Sequence, residues 1–167
     1  IFSGDRKAIA TAITLVESTK HEDQDSTNRL LTLLESQQTQ SIRIGISGPP
    51  GVGKSTFIEA IGHSVLESDE RLAILAIDPS SSISGGSILG DKTRMESLSR
   101  NENTFIRPSP SGGNLGGVHR STRESVSILE AAGYSVILIE TVGVGQAETE
   151  VFEMTDVFLV LLSPGGG

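Results

Sequence analysis

A chain of 167 residues with 36% hydrophobic and 20% charged residues holds enough apolar material for one globular domain of ordinary size. Its 13 basic and 21 acidic residues give a net charge of −8 with no basic stripe, which argues against a nucleic acid partner. The absence of Cys excludes a disulfide scaffold and thiolate metal sites, and no apolar run approaches the roughly 20 residues that span a bilayer, so no membrane partner is expected.

Aromatic residues make up only 4%, with no Trp and one Tyr, so the core must be built from Ile, Leu and Val. That composition suits a parallel sheet covered by helices. The chain opens at Ile1 and stops at Gly167 directly after an apolar run, and both ends are expected to be cuts in a longer protein.

In chain order, Ile9, Ala12, Ile13 and Val16 fall on one helical stripe behind Asp5, a candidate N-cap. Residues 21–25 read as a turn, and Leu30, Leu31, Leu33 and Leu34 mark a second helix. Residues 1–40 are therefore expected to be a helical extension, and the sequence does not say what it docks against. From residue 41 to 167 the pattern becomes one of alternating strands and helices. Strands are expected over 42–46, 72–77, 104–106, 136–139 and 157–162. Helices are expected from Lys54, across 91–100, and over 149–154. A loop is expected from Pro108 to Gly117. The Ser121 and Glu124 spacing fits a capping box opening a helix that ends near Ala132, with Gly133 as its terminator. Alternating elements imply right-handed βαβ units and an α/β fold, a mainly parallel sheet covered by helices on both faces.

The segment Gly48-Pro49-Pro50-Gly51-Val52-Gly53-Lys54-Ser55 fits the pattern G-x-x-x-x-G-K-[ST], placed after a strand and opening a helix. Gly48, Gly51 and Gly53 allow the backbone to curl so that successive N–H groups face phosphate oxygens. The helix N-terminus adds partial positive charge, Lys54 reaches the terminal phosphates, and the Ser55 hydroxyl is suited to Mg2+. Gly48, Gly51, Val52, Gly53, Lys54, Ser55 and Thr56 are thus the candidate phosphate cradle, and the fold class is that of a P-loop NTPase.

Further parts are expected at the carboxyl ends of the strands. Asp78 and Glu140 each close an apolar run, and Asp91 follows a Ser/Gly-rich loop. All three offer the hard oxygen that Mg2+ takes, although Asp91 reads equally well as a helix cap. Gly143 has an N–H for a γ-phosphate, which makes residues 140–143 a candidate switch. Gln146 reads either as the group that orients an attacking water or as a solvated loop residue. Among Arg94, Arg107, Arg120 and Arg123 nothing singles out an arginine finger. His119 reads as a surface residue of a Gly-rich loop, and the three His are too scattered to form a metal site.

Several segments together resemble one family. They are the P-loop with Thr56, Phe57, Ile58 and Glu59; the stretch from Asp78 to Ser82; and Ser84 to Met95. Arg107 to Ser111, Leu115 to Gly117 and Ile139 to Gln146 complete the likeness, which covers nearly all of residues 42–167. The chain is similar to the MeaB/ArgK family of P-loop GTPases. The resemblance implies GTP hydrolysis with Mg2+, GDP as product, and Lys54, Glu140 and Gln146 as catalytic candidates. It also implies Ser55, Asp78, Asp91 and Glu140 around the metal. The implied client is methylmalonyl-CoA mutase or a related adenosylcobalamin-dependent acyl-CoA mutase, whose cofactor loading is gated and which is protected. The implied assembly at full length is a homodimer, and the implied compartment is bacterial cytoplasm, or the mitochondrial matrix in a eukaryote. The family's Asn-Lys-x-Asp-type base-reading motif would lie beyond Gly167, so guanine preference comes from the resemblance. Asn114 and His119 depart from what many relatives are expected to carry. Competing readings are a nickel-type metallochaperone GTPase, a kinase on the same P-loop, and a non-catalytic interaction module. The first lacks Cys and His clusters, and the second lacks an obvious acceptor base; an intact P-loop argues against the third.

Overall fold

The structure is a computed structural model, and it describes residues 1–36, 39–78, 95–110, 117–141 and 146–163. Helix α1 spans Arg6–Val16 and α2 spans Gln24–Glu35, separated by a 3-10 turn at His21–Asp23. Strand β1 (Ile42–Ser47) leads through the P-loop into α3 (Lys54–Glu67), followed by β2 (Leu72–Asp78) and the short α4 (Glu96–Ser99). Then come β3 (Thr104–Pro110), α5 (Gly117–Ala131), β4 (Val136–Thr141), α6 (Gln146–Phe152) and β5 (Val157–Val160).

The five strands form one sheet in the order β3-β2-β4-β1-β5, and every pairing is parallel. Period-two alternation along β2 explains its unbroken apolar sequence, because both faces are covered. Leu72 and Ile74 face one cluster with Ile58 of α3 and Leu98 of α4. Ala73, Leu75 and Ile77 face the other, which holds Ile9 and Ile13 of α1, Leu34 of α2, and Ile128 and Leu129 of α5. The N-terminal helices therefore dock on the sheet face lined by α5, which answers the question the sequence left open. A polar seam extends that contact. Glu17, the C-cap of α1, accepts from Arg107 Nη2 and from Ser109 Oγ (2.7 Å) on β3.

At the end of α1, Asp5 Oδ1 accepts from Lys7 N (2.8 Å) and Ala8 N (3.2 Å), as an N-cap should. At the end of α5, Gly133 has φ 85° and its N–H donates to Glu130 O, while Tyr134 N donates to Leu129 O. That pair of bonds is a Schellman closure, which requires a residue tolerant of positive φ at this site.

Several sequence expectations are corrected. Helix α5 starts at Gly117 rather than at Ser121, so the capping-box pair lies inside it, and Glu124 accepts from Arg120 Nε at 2.7 Å. Strand β3 continues through Pro108 to Pro110, where a loop was expected. It is an edge strand, and an edge can carry residues that lack an N–H donor. Helix α6 begins at Gln146 and ends at Phe152, and β5 ends at Val160. The helix expected across 91–100 is seen as Glu96–Ser99, and residues 91–94 lie outside the described residues.

Candidate functional site

The site grows from the end of β1. Beyond Ser47 the chain turns through Gly48 (φ 147°), Gly51 (φ 81°) and Gly53 (φ 99°), conformations that L side chains rarely adopt. A Cβ at Gly51 or Gly53 would meet nothing within 4 Å, so both face open space where a ligand fits. Gly48 is different, as its α-carbon packs against the Leu161 carbonyl. Val52 N donates to Pro49 O (3.3 Å) inside the turn, and Phe57 N to Gly53 O (2.9 Å) starts α3. The first N–H groups of a helix have no intrahelical acceptor, so those of Lys54, Ser55 and Thr56 are available at its positive end.

Lys54 is buried at 9% exposure, unusual for a lysine. Its ammonium is held across the loop by Gly48 O (2.7 Å) and Pro49 O (3.3 Å). An ammonium has three donors, so this grip leaves one to offer an anion. The loop is thereby a preformed cradle of backbone N–H groups with one fixed cation.

The strand register sets the acids beside it. Glu140 pairs with Ile46 of β1 on one side and with Ala76 of β2 on the other. It alternates with Leu138, whose side chain belongs to the α3 cluster, so half-buried Glu140 lies on the α3 side of the sheet. The β2 backbone reaches Asp78 opposite Pro110, two positions beyond Ala76. Asp78 thus ends β2, and Glu140 stands one residue before the end of the adjacent β4, at the same carboxyl edge as the P-loop. Asp91 and Gly143 lie outside the described residues. Gln146 is the first residue of α6 rather than part of a loop. His119 likewise belongs to the first turn of α5, not to a loop.

The arginines separate by partner. Arg107 is engaged by Glu17, and Arg120 by Glu124. Arg123 is exposed on α5, in a cleft it shares with Arg43 and Asp156, and Arg94 lies outside the described residues. Among the described residues no group of three His, Cys, Asp or Glu stands ready to hold a metal, and no helix is long and apolar enough to cross a membrane. Two polar links escaped the sequence reading. Ser47 Oγ donates to Glu148 Oε1 of α6, and Glu17 bridges α1 to β3. Both join residues far apart in the chain, so no local pattern signals them.

Comparison with known proteins agrees with this geometry. Residues 9–167 match the family described as Methylmalonyl Co-A mutase-associated GTPase MeaB. A protein of Caulobacter vibrioides is 58% identical over 167 residues, covering all of this chain and 51% of that one. The mouse methylmalonic aciduria type A homolog, a mitochondrial protein, is 51% identical over 177 residues, covering all of this chain and 43% of its own. The GTPase ArgK of Escherichia coli is 49% identical, covering 98% of this chain and 50% of its own. A crystal structure described as a LAO/AO transport system kinase superposes with a TM-score of 0.76 at 40% identity, covering 96% of this chain and 46% of that one. The chain spans about half the length of these relatives. It belongs to the MeaB family of methylmalonyl-CoA mutase-associated GTPases.

Proposed function

We propose that this chain carries the triphosphate-binding part of a GTP-hydrolysing chaperone for a cobalamin-dependent acyl-CoA mutase of the methylmalonyl-CoA mutase type. The observation that carries the reading is Lys54, a buried ammonium clamped over an open glycine-lined cradle at a helix N-terminus. Residues 41–167 form the P-loop unit and residues 1–40 its helical extension.

In this reading the N–H groups of residues 51–56 receive the β-phosphate, and the free donor of Lys54 reaches between the β- and γ-phosphates. The donor set is all hard oxygen, and the space above Gly51 and Gly53 is open, so the residues present fit Mg2+. Ser55, Asp78, Asp91 and Glu140 would hold it, and bound Mg2+ neutralises charge on the phosphates. Gly143 donates to the γ-phosphate, and Gln146, at the head of α6, orients the attacking water. Ordering of the 142–145 segment on the triphosphate and its release after hydrolysis would supply the signal to the mutase. The full-length protein acts as a homodimer, in the compartment that holds the mutase.

The test is nucleotide hydrolysis by the full-length protein, with and without methylmalonyl-CoA mutase, GTP and ATP in parallel. Acceleration by the mutase with GTP alone supports the reading. Equal turnover of both nucleotides, indifferent to the mutase, contradicts it. A phosphorylated acceptor in place of free phosphate would favour the kinase activity named for the superposed crystal structure.

A further inference from the structure

The stretch from Arg107 to Ser111 is part of the family likeness, yet nothing in the phosphate cradle uses it. The fold gives it a role. Strand β3 stands at the end of the sheet order, paired with β2 alone. Alternation puts Arg107 and Ser109 on the face they share with Phe105, where α1 packs, and Pro108 on the other. There both side chains reach one carboxylate. Glu17 Oε2 accepts from Arg107 Nη2, and Glu17 Oε1 accepts from Ser109 Oγ (2.7 Å). Thr14 Oγ1, one turn back on α1, also accepts from Arg107 Nη2 (3.2 Å).

Two features separate this clamp from a simple ion pair. The first is how the carboxylate is shared. Arg43 meets Glu130 with both Nε and Nη2, whereas Arg107 Nε is buried with no hydrogen-bond partner among the described residues. A two-pronged grip would satisfy that donor, and leaving it unpaired costs stability. Glu17 instead divides its two oxygens between strand positions 107 and 109, which ties down the last stretch of β3. The second is where the clamp stands. The Glu17 side chain is 10% exposed and caps a helix seated in the core through Ile9, Ile13 and Val16, so its anchor is rigid. At the far end, Ser109 pairs with Ile77, and the next register position pairs Pro110 with Asp78.

We propose that Glu17 is a positioning residue for the metal site: through Arg107 and Ser109 it holds the end of β3 against β2, sets the backbone of Asp78, and so couples docking of the N-terminal helices to Mg2+ binding with the nucleotide. Asp78 enters as the Mg2+ ligand of the function proposed above, on which this inference rests. Glu17 itself touches neither metal nor phosphate. An edge strand has one neighbouring strand to hold it, and the carboxylate of α1 takes the place of the second. Coupling between binding events is reciprocal, so Mg2+ and nucleotide together tighten the docking of α1 in turn.

The test measures the affinity of the full-length protein for GDP in EDTA and in excess Mg2+, with the melting temperature of each variant. The readout is the gain in affinity that Mg2+ confers. Glu17→Ala is expected to cut that gain at least about fivefold and to leave the affinity in EDTA unchanged. Ser109→Ala, which removes a single hydroxyl, is expected to cut it in the same direction, and Ser109→Thr, which keeps the hydroxyl, to restore it. Glu130→Ala breaks a buried ion pair beside the start of β1 and serves as the control, with a lower melting temperature and the wild-type gain. Amide exchange across residues 6–17 is expected to slow when GDP and Mg2+ are added to the wild type, and not in Ser109→Ala. A wild-type gain in folded Glu17→Ala, or an equal loss of affinity in EDTA and in Mg2+, overturns the proposal. Should Glu17→Ala fail to fold, Ser109→Ala decides by the same two outcomes. Asp78→Asn separates the two ways of failing. If it keeps the full gain, the metal assignment falls and the clamp's role with it; if it loses the gain while Glu17→Ala keeps it, the clamp alone falls.

Discussion

Gly48 and Leu161 touch so closely that a side chain cannot stand between them: a Cβ on Gly48 would lie 2.5 Å from the Leu161 carbonyl oxygen. The P-loop is therefore braced by the strand end beyond it, not suspended from β1 alone. Gly48→Ala must push backbone away and also adopt a φ of 147°, and it is expected to destabilise the protein by about 3 kcal/mol. Gly51→Ala meets no atom within 4 Å and suffers only the left-handed conformation, at about 1–2 kcal/mol. Urea unfolding of the two variants checks the order; a Gly51 variant less stable than the Gly48 variant would contradict it.

An ion pair at the other end of β1 behaves asymmetrically. Glu130 Oε1 accepts from Arg43 Nε (2.9 Å), Arg43 Nη2 (2.7 Å) and Ser41 Oγ (2.6 Å). The side chain of Glu130 is 9% exposed and that of Arg43 is 38% exposed. Removing Arg43 leaves a nearly buried carboxylate with Ser41 as its side-chain donor, whereas removing Glu130 leaves a guanidinium that water can reach. Arg43→Ala is expected to cost about 2–3 kcal/mol and Glu130→Ala about 1 kcal/mol, after allowing for the solvent around Arg43. Denaturant midpoints of both variants measure the difference.

How far the sequence reached depends on the range of the interaction. The P-loop was legible because every part of it lies within eight consecutive residues, Gly48 to Ser55, between a strand and a helix. Strand β2 was legible because burial on both faces leaves an unbroken apolar run from Leu72 to Ile77. The start of α5 was not, because Ser121 and Glu124 carry a cap spacing that the helix overruns, and local spacing cannot register what precedes it. Pro108 and Pro110 concealed the length of β3, since the sequence does not reveal that this strand is an edge. The Ser47–Glu148 link spans 101 positions, and the Glu17–Arg107 link spans 90, so both exist only once the sheet has assembled.

The cap of α1 gives a pH dependence with a definite sign. Hydrogen bonds from Ala8 N and Lys7 N hold the Asp5 carboxyl below its ordinary value of 3.8. A depressed folded-state pKa means a stabilising contribution that is complete above the unfolded value and lost as pH falls through the folded one. The stability difference between wild type and Asp5→Asn, an amide that can still cap, is expected to be constant above about pH 5 and to shrink below that. Melting temperatures of the pair across pH 2.5 to 7 show it, and a difference that grows on acidification contradicts it.

The most direct test of the account is calorimetric titration of GTP with Mg2+ into the full-length protein and its Lys54→Ala variant, with melting temperatures in parallel. Loss of an ammonium that is buried and clamped by two carbonyls is expected to cost about 1–2 kcal/mol of stability, which the melting temperatures report, and to leave the protein folded at the titration temperature. It should remove a fixed cation facing the phosphates, lowering affinity at least about a hundredfold, roughly 2.7 kcal/mol or more. An unchanged affinity in a folded Lys54→Ala variant would contradict the assignment of this loop as the triphosphate site.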